Sequence, residues 1–296
     1  MHHGRYRFVV SLLVVPLLVY AVFVVSPYVQ AFPIAFTNWE GLSADYQYIG
    51  FGNFTTLLHD DVFWVALKHN LFLLVSLPII IVTLSLFFSA ALNYRGGVPG
   101  SRIYKVVYFF PGVLSIAVVG VLWQFVFEPR SGLLNGFLRS VGLGRLAGLW
   151  LGDGRTALGS IMSVVVWGGV GFYVVLFTAA MAAIPRDLYE AALLDGAGAF
   201  QAFWRLTLPL IWNTVQTALA FLVIGALDLF ALVKILSVGP GGPDDATQVI
   251  SLYMYTNAFT YGKFGYASAI GVTLFLINMI LTLLTFRLTR RERVEY

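Results

Sequence analysis

The stretch Ile184–Trp212 reads IPRDLYEAALLDGAGAFQAFWRLTLPLIW and lies between two long apolar runs. Its first part predicts a short helix, because Asp187 and Glu190 lie where carboxylates stabilise a helix N-terminus. Gly196 and Gly198 predict the end of that helix, since glycine tolerates the left-handed backbone of a C-terminal cap. The stretch therefore predicts a compact helical element inserted between two apolar segments.

A second short helix is predicted directly after these glycines. Phe200, Phe203 and Trp204 are spaced i, i+3 and i+4, so they share one face of a helix. Pro209 then permits a sharp entry into the next apolar run. A helix–glycine–helix unit of this kind offers an alanine-faced knob that fits a groove on another protein. An interfacial helix resting on lipid headgroups is the alternative, and the residues alone leave both open.

The apolar runs around this element predict an all-α integral membrane protein with one domain over residues 1–296. Crossing a bilayer takes about 20 residues as a helix, and runs such as VVSLLVVPLLVYAVFVV lack the alternation of a membrane β-barrel strand. The first run is longer than a signal-peptide core and lacks a small-x-small cleavage site, so we expect a retained helix. The six predicted spans are Phe8–Val29, Leu71–Leu92, Val106–Phe127, Ala157–Ala183, Thr214–Leu236 and Ala267–Leu288.

Composition agrees with lipid as the main solvent. Of the 296 residues, 59% are hydrophobic and 11% are charged, whereas soluble domains carry about 25% charged residues. The mean hydropathy is +0.85. The absence of cysteine excludes disulfides, zinc–thiolate sites and iron–sulfur clusters. The net charge of +4 is not gathered with aromatic residues into a nucleic-acid footprint, so we expect no nucleic-acid partner.

Lysine and arginine predict that both termini are cytoplasmic, because cytoplasmic loops are enriched in these residues. The side that would be inside carries Arg5, Arg7, Arg95, Arg102, Lys105, Arg186, Arg205, Arg287, Arg290, Arg291 and Arg293. The other side carries fewer, namely Lys68, Arg130, Arg139, Arg145, Arg155 and Lys263. On this orientation the element at Ile184–Trp212 is inside, and the long outer segments are Thr37–Asn70, Glu128–Thr156 and Ser237–Tyr266.

Polar and aromatic residues within the spans are candidates for a substrate pathway. Asp228 lies in the fifth span, where a carboxylate suggests function or a buried partner; it could accept from a substrate hydroxyl, or lie near the outer interface and bond to backbone or to another chain. Aromatic rings could line such a pathway, but core packing or lipid contact is the alternative for each of them. The candidates are Ser115, Trp123, Trp167, Gly169, Phe172 and Tyr173.

Several other features are expected to carry no chemistry. His59 and His69 lack metal-ligand spacing, and the sequon Asn53-Phe54-Thr55 is a triplet that arises often by chance. The pairs Asp60-Asp61 and Asp244-Asp245 are expected to be solvated loop charges. Proline and glycine within the spans, such as Gly171, are expected to serve helix packing in preference to gating.

The order Glu190-Ala191-Ala192, three residues, Gly196, nine residues, then Leu206-Thr207-Leu208-Pro209 resembles the EAA motif, written EAA-x3-G-x9-I-x-LP, of the membrane subunits of binding-protein-dependent ABC importers. Leu206 stands where that family usually has isoleucine. The stretches TNWEG (Thr37–Gly41), YIGFGNF (Tyr48–Phe54) and PGGPDDATQVISLYMYTNAF (Pro240–Phe259) are similar to sugar permeases of that family. The chain resembles the six-helix core of the larger maltose-permease subunit.

This resemblance implies a type I importer permease in a bacterial plasma membrane, which forms a pathway for a sugar or oligosaccharide with a second, different permease subunit. The chain has no GxxxxGK[ST] phosphate loop, so ATP and magnesium would be bound by two cytoplasmic ATPase subunits, and this chain would bind no cofactor. An extracellular or periplasmic sugar-binding protein would deliver the substrate. The residues expected to couple to an ATPase subunit, within the loop at about 184–212, are Glu190, Ala191, Ala192, Asp195, Gly196, Leu206 and Pro209.

Two other classes of protein were weighed against this interpretation. A stand-alone secondary transporter would use Asp228 as its ion-coupling carboxylate, but it would normally show two inverted halves with paired broken helices, and no such repeat is seen. An intramembrane enzyme would need a motif such as HExxH or GxSxG within a span, and none occurs.

Overall fold

The structure, a computed structural model, describes residues 3–41, 45–93 and 100–289. Within those ranges the chain is almost wholly helical, and the β pairing consists of one antiparallel bridge between Thr37 and Tyr48. The all-α prediction is therefore confirmed. Four residues that entered the prediction of orientation, Arg95, Arg290, Arg291 and Arg293, lie outside the described residues.

The helices are named in chain order. They are α1 (His3–Tyr20), α2 (Ser26–Ile34), α3 (Gly52–Leu58), α4 (Asp61–Asn93), α5 (Ser101–Val113), α6 (Ile116–Phe127), α7 (Leu133–Ser140), α8 (Ala157–Ala182), α9 (Arg186–Leu194), α10 (Ala199–Ala202), α11 (Leu208–Leu210), α12 (Trp212–Leu227), α13 (Phe230–Leu236), α14 (Ile250–Tyr255) and α15 (Phe264–Thr289). Wider π turns occupy Ala21–Val25, Phe203–Thr207 and Thr256–Thr260.

These helices belong to two compact units. The terminal unit comprises Met1–Phe63 and Tyr253–Ile277, and the central unit comprises Trp64–Leu252 and Asn278–Tyr296. The central unit has a large apolar core that includes Phe177, Leu77 and Ile161. In the terminal unit, Ala35, Ala269 and Val272 form one cluster of buried apolar residues.

Four of the predicted spans are confirmed as continuous apolar helical segments, Leu12–Ile34, Asp61–Asn93, Ala157–Ala182 and Phe264–Leu284. The third and fifth predicted spans are not continuous. Ile103–Val113 and Ile116–Phe127 meet at a 98° bend, and α12 ends before Asp228 while α13 starts at Phe230. By length and composition, the described chain has up to six spans if two bent pairs, Ile103–Val113 with Ile116–Phe127 and Ala199–Leu210 with Trp212–Leu227, are each counted as one span.

Glycines and serines allow the helices of the central unit to pack closely. A Cβ atom on Gly171 of α8 would overlap the backbone carbonyl of Tyr108 in α5, so the helix-packing interpretation is confirmed at this glycine. The hydroxyls of Ser85 and Ser89 in α4 donate to the carbonyl oxygens of Val170 and Val174 in α8, at 3.1 and 2.9 Å. These bonds satisfy hydroxyl groups that hydrocarbon would leave without partners.

Candidate coupling site and transport pathway

The predicted short helix in the EAA-like segment is α9, and its end is closed by backbone hydrogen bonds. Gly196 has φ +77°, which allows its N–H to donate to the carbonyl of Leu193 at 3.0 Å and the N–H of Ala197 to donate to the carbonyl of Ala192 at 2.9 Å. This pair of bonds is the Schellman closure, in which glycine supplies the left-handed residue. The turn after α9 therefore has a fixed shape that only glycine adopts without strain.

The tip of this element is open to its surroundings. Leu194 is 91% exposed and Leu193 is 69% exposed, although leucine side chains usually withdraw from water. Of the residues expected to couple, Glu190, Ala191, Asp195, Gly196 and Pro209 are exposed, and Ala192 and Leu206 are half-buried. A Cβ on Gly196 or on Gly198 would meet no other atom within 4 Å. The motif did not indicate the exposed leucines. The signal in the sequence is that Leu193 and Leu194 are adjacent at the end of a short amphipathic helix, directly before Asp195 and Gly196.

The second part of the element runs from α10 through the π turn Phe203–Thr207 into α11, and meets α12 at an angle of 71°. The break is at Ile211, two residues after Pro209, so the predicted sharp entry is present. The three aromatic rings of the predicted face form a chain of contacts, with ring centroids 6.1 Å apart for Phe200 and Trp204 and 5.5 Å apart for Phe203 and Trp204. Phe200 and Trp204 are exposed, whereas Phe203 also packs against the core.

One side-chain contact joins the two halves of the element. The hydroxyl of Tyr189 in α9 lies 3.0 Å from the hydroxyl of Thr207 at the end of the π turn. Thr207 is buried, and Tyr189 packs against the core of the central unit. A direct hydrogen bond therefore connects α9 to the π turn that leads into α11 and α12.

Two candidate pathway residues lie where the long helices are interrupted. Ser115 is exposed and precedes α6 at the 98° bend, and Asp228 is exposed between α12 and α13. Downstream of these breaks α6 and α13 pack together, since the side-chain amide of Gln124 donates to the carbonyl of Ile235 at 2.6 Å. A Cβ on Gly120 would lie 2.6 Å from a methyl of Ile235. Non-helical backbone at membrane depth is tolerated where it is buried in protein or lines a water-filled cavity.

The aromatic candidates separate into two groups. Trp123 and Trp167 contact each other edge to face, with ring centroids 5.4 Å apart, and Trp167 and Phe172 are partly exposed. Tyr173 is only 8% exposed and belongs to the apolar core. Gly169 faces the side chain of Ile81, at 3.3 Å from where its Cβ would be. The structure therefore places Tyr173 and Gly169 in helix packing.

Asp60 is not a solvated loop charge, and that prediction is wrong. One carboxylate oxygen accepts from the backbone N–H groups of Val62 and Phe63, which caps α4. The other accepts from the hydroxyls of Tyr253 and Tyr266. Burial opposes ionisation here, but these hydrogen bonds outweigh it and hold the pKa of Asp60 below its ordinary value.

The histidines and the sequon serve the local structure. His69 Nδ1 lies 2.9 Å from the carbonyl oxygen of Gln248, and His59 Nδ1 lies 2.8 Å from that of Thr55. In the described part of the chain no group of three or more histidine and carboxylate side chains could hold a metal ion. Asn53 is buried, and its amide donates to two backbone carbonyl oxygens.

Residues 71–294 match the family described as binding-protein-dependent transport system inner membrane component. The diacetylchitobiose uptake system permease protein NgcF of Streptomyces coelicolor is 40% identical over 294 residues, which cover 97% of this chain and 83% of NgcF. The sn-glycerol-3-phosphate transport system permease protein UgpA of Escherichia coli is 32% identical over 300 residues, covering 99% of this chain and 97% of UgpA.

A solved structure carries the same fold. A bacterial ABC transporter involved in the import of the acidic polysaccharide alginate includes a chain that matches with a TM-score of 0.86 at 23% sequence identity, over 98% of each chain. The predicted type I importer permease fold is therefore confirmed. The family also excludes a stand-alone ion-coupled transporter with Asp228 as its coupling group, because transport in this family depends on a binding protein. The chain belongs to the binding-protein-dependent transport system inner membrane components, and it is the non-enzymatic, multi-pass permease subunit of an ABC importer.

Proposed function

We propose that this permease moves a neutral sugar or oligosaccharide inward across a bacterial plasma membrane. Among its relatives, NgcF is named for a disaccharide and UgpA for a phosphorylated glycerol. The exposed carboxylate of Asp228 at the break between α12 and α13 favours the first class of substrate. A carboxylate accepts hydrogen bonds from sugar hydroxyls, whereas it repels a phosphate or a uronate.

The pathway residues in this proposal are the polar residues at the two interruptions together with two aromatic side chains of α6 and α8. Ser115 and Asp228 offer polar groups at the two breaks, and Trp123 and Phe172 offer ring surface for a sugar. Gly169 and Tyr173 act through packing of α8 and not through contact with the substrate. Interrupted helices support a substrate route, since unpaired backbone groups at membrane depth need water or protein partners.

The observation that carries the coupling role is the open, rigid tip of α9. A helix with a glycine-closed end, exposed leucines and empty space beside Gly196 and Gly198 is suited to a groove on a second protein. This partner would be one of two cytoplasmic ATPase subunits that hold ATP and magnesium, because the chain has no phosphate loop of its own. Closure of the ATPase pair would move α9 and, through Tyr189 and Thr207, the helix leading into α12.

A second, different permease subunit would complete the pathway. The first span, Leu12–Ile34, has none of its apolar window buried within the protein, so it is available to lipid or to such a partner. The termini and α9 would lie on the cytoplasmic side, and an extracellular or periplasmic sugar-binding protein would dock on the other side.

Purification and reconstitution test this proposal together. We expect the tagged chain to co-purify with an ATPase subunit and a second permease, and the complex in vesicles to take up a disaccharide only with ATP and the binding protein. Uptake by the lone chain, driven by a proton or sodium gradient without ATP, would contradict it. Uptake of a phosphorylated polyol in preference to every neutral sugar would contradict the assignment of substrate class.

A further inference from the structure

Two outer segments of the sequence fold against each other in the terminal unit. The N–H of Gly265, at the start of α15, donates to the carbonyl of Trp39 at 2.8 Å. A Cβ on Gly265 would overlap the carbonyl of Thr37, and a Cβ on Gly41 would overlap the ring of Phe264. Both positions therefore require glycine, because the neighbouring carbonyl and ring leave no room for a Cβ atom. The stretch TNWEG is therefore held rigidly against the first turn of α15.

This arrangement encloses a polar cleft of about 290 Å³. Its floor is the carboxylate of Asp60 with the hydroxyls of Tyr253 and Tyr266, which donate to it. The backbone N–H groups of Val62 and Phe63 donate to the other carboxylate oxygen of Asp60. Both oxygens of Asp60 therefore already accept hydrogen bonds, and the position of its carboxylate is fixed. The residues that line the cleft are Asn38, Trp39, Glu40, Asn53, Thr56, Asp60, Tyr253, Asn257, Lys263 and Tyr266.

The rim of the cleft offers polar groups of both kinds. Glu40 and Lys263 are exposed, and no ion pair of either is found with any residue that the structure describes. Asn257, which also lines the cleft, is buried and uses its amide nitrogen to donate to the carbonyl of Tyr253 at 3.0 Å. Asn38 uses its side-chain oxygen to accept from the N–H of Gln47 at 2.7 Å. The rim therefore presents a carboxylate, an ammonium and amide groups beside the indole of Trp39.

We propose that this cleft is an outer binding site for one ring of a neutral sugar. Sugar hydroxyls are both donors and acceptors, so they match a rim that carries both, and the C–H face of a sugar ring matches the aromatic surface of Trp39. Small-ligand pockets begin at about 300 Å³, which suits a single ring. The charges of Glu40 and Lys263 are opposite, so the pair gives no net attraction for an anion or a cation, while each group can hydrogen-bond to neutral hydroxyls.

The site is separate from the proposed substrate pathway. All the residues that line it belong to the terminal unit, whereas Ser115, Trp123 and Asp228 belong to the central unit. The proposal that this cleft binds a ligand rests on the proposed function only in naming a sugar as the class of ligand. The outer position of its two segments suits a sugar that is being transferred between the binding protein and the pathway.

Sugar binding to the whole complex in lipid nanodiscs, without binding protein, tests the proposal. The probes are N,N′-diacetylchitobiose and maltose, with glycine betaine as a non-sugar control. Hydrogen exchange of residues 37–41 and 261–266 locates the bound sugar, and titration of that protection gives the dissociation constant. We expect millimolar binding that weakens at least tenfold in the double variant Glu40→Gln, Lys263→Ala. Asp61→Asn and Lys68→Ala are matched controls, since they remove exposed charges that do not line the cleft.

Each outcome supports or overturns the proposal. Protection of both segments by sugar and not by betaine, lost in the double variant and kept in the controls, supports it. The proposal is overturned by no protection at 50 mM sugar, by protection that the double variant retains, or by equal protection with betaine. If the double variant does not fold, Glu40→Gln alone is titrated. Uptake by the unaltered complex is measured separately, so a failure of sugar transport is distinguished from a failure of this site.

Discussion

The hydroxyls of Tyr189 and Thr207 lie 3.0 Å apart and join α9 to the π turn that leads into α12. The two residues are eighteen positions apart in the chain, and the glycine-closed turn lies between them. A hydrogen bond of this kind contributes about 0.5–1.5 kcal/mol. On the proposed coupling role, it would transmit movement from α9 to α12 as well as stabilise the element.

Tyr189→Phe removes this hydrogen bond and keeps the aromatic ring. We expect the complex to assemble and to hydrolyse ATP, while sugar uptake per ATP falls about two- to tenfold, in line with a loss of about 0.5–1.5 kcal/mol in coupling. The measurement is uptake and ATPase activity in the same vesicles. Thr207→Ser keeps the hydroxyl and is the matched control. An unchanged ratio of uptake to hydrolysis in Tyr189→Phe would show that the bond is only structural.

Substitutions at the two glycines after α9 distinguish an effect of backbone strain from an effect on contact with a partner, because only one of the two has a positive φ. Gly196 has φ +77°, whereas Gly198 has φ −72°, and neither has a neighbour near its absent Cβ. We therefore expect Gly198→Asp to leave the thermal stability of the permease unchanged and still to reduce ATP-driven uptake at least fivefold, because it places a charge on the docking face. Gly196→Asp should also insert normally and uncouple hydrolysis from uptake. Wild-type uptake by either variant would contradict docking at this turn.

The exposed leucines at the tip of α9 should contribute most of the affinity for an ATPase subunit. Burying a leucine is worth about 1.5–3 kcal/mol, so Leu194→Ser should weaken recovery of the ATPase by about tenfold or more. The measurement is titration of the purified ATPase subunit against the permease pair in nanodiscs. Leu133→Ser in α7 is the control, since Leu133 is equally apolar and is 72% exposed in a predicted outer segment. Equal effects of the two changes would argue against a specific anchor.

The crossing of α5 and α8 depends on Gly171. Its Cβ would overlap the carbonyl of Tyr108, whereas a Cβ on Gly168, three residues earlier on the same helix, would meet no atom within 4 Å. We expect Gly171→Ala to destabilise the protein by about 1–3 kcal/mol through overpacking. Gly168→Ala should be neutral or stabilising by about 0.5–1 kcal/mol, because alanine favours the helix. Thermal unfolding in detergent measures both, and equal midpoints would contradict the tight crossing.

Asp60 should make the stability of the terminal unit depend on pH in the acid range. Its pKa is lower in the folded chain than in the unfolded chain, so its contribution is present above about pH 4 and is lost as the pH falls through the folded pKa. Asp60→Asn should lower stability by about 1–3 kcal/mol at pH 7 and flatten the loss of stability between about pH 5 and 3. Unfolding midpoints of both proteins across that range check this. Parallel curves would contradict the role of the carboxylate.

Hydrophobic pattern predicted the helices of this protein well, because lipid demands long apolar runs whatever the details of packing. It did not predict the interruptions. Apolar residues flank both Ser115 and Asp228, so hydropathy averaged over a whole span does not mark the breaks. Pro111 and Gly112, just before the 98° bend, were the available signal, since proline favours a helix end within a few residues.

The coupling element was predictable because its parts are close in the chain and glycine marks its turn. The network around Asp60 was not, because Tyr253 and Tyr266 are 193 and 206 residues away from it in the chain. Only the fold brings them together. Asp60 stands just before an apolar helix, a position typical of a helix cap. Its capping of α4 could therefore have been predicted from the local sequence, whereas its contacts with the two tyrosines could not.

The open leucine tip has a consequence for how the cell handles this protein before assembly. On the proposed orientation, a newly inserted copy displays Leu193 and Leu194 to the cytoplasm until an ATPase subunit covers them. Chaperones and proteases bind exposed apolar chain, so on the proposed coupling role we expect copies without an ATPase subunit to be degraded faster than assembled copies. The same two leucines would then both bind the ATPase and limit the number of unassembled permease copies.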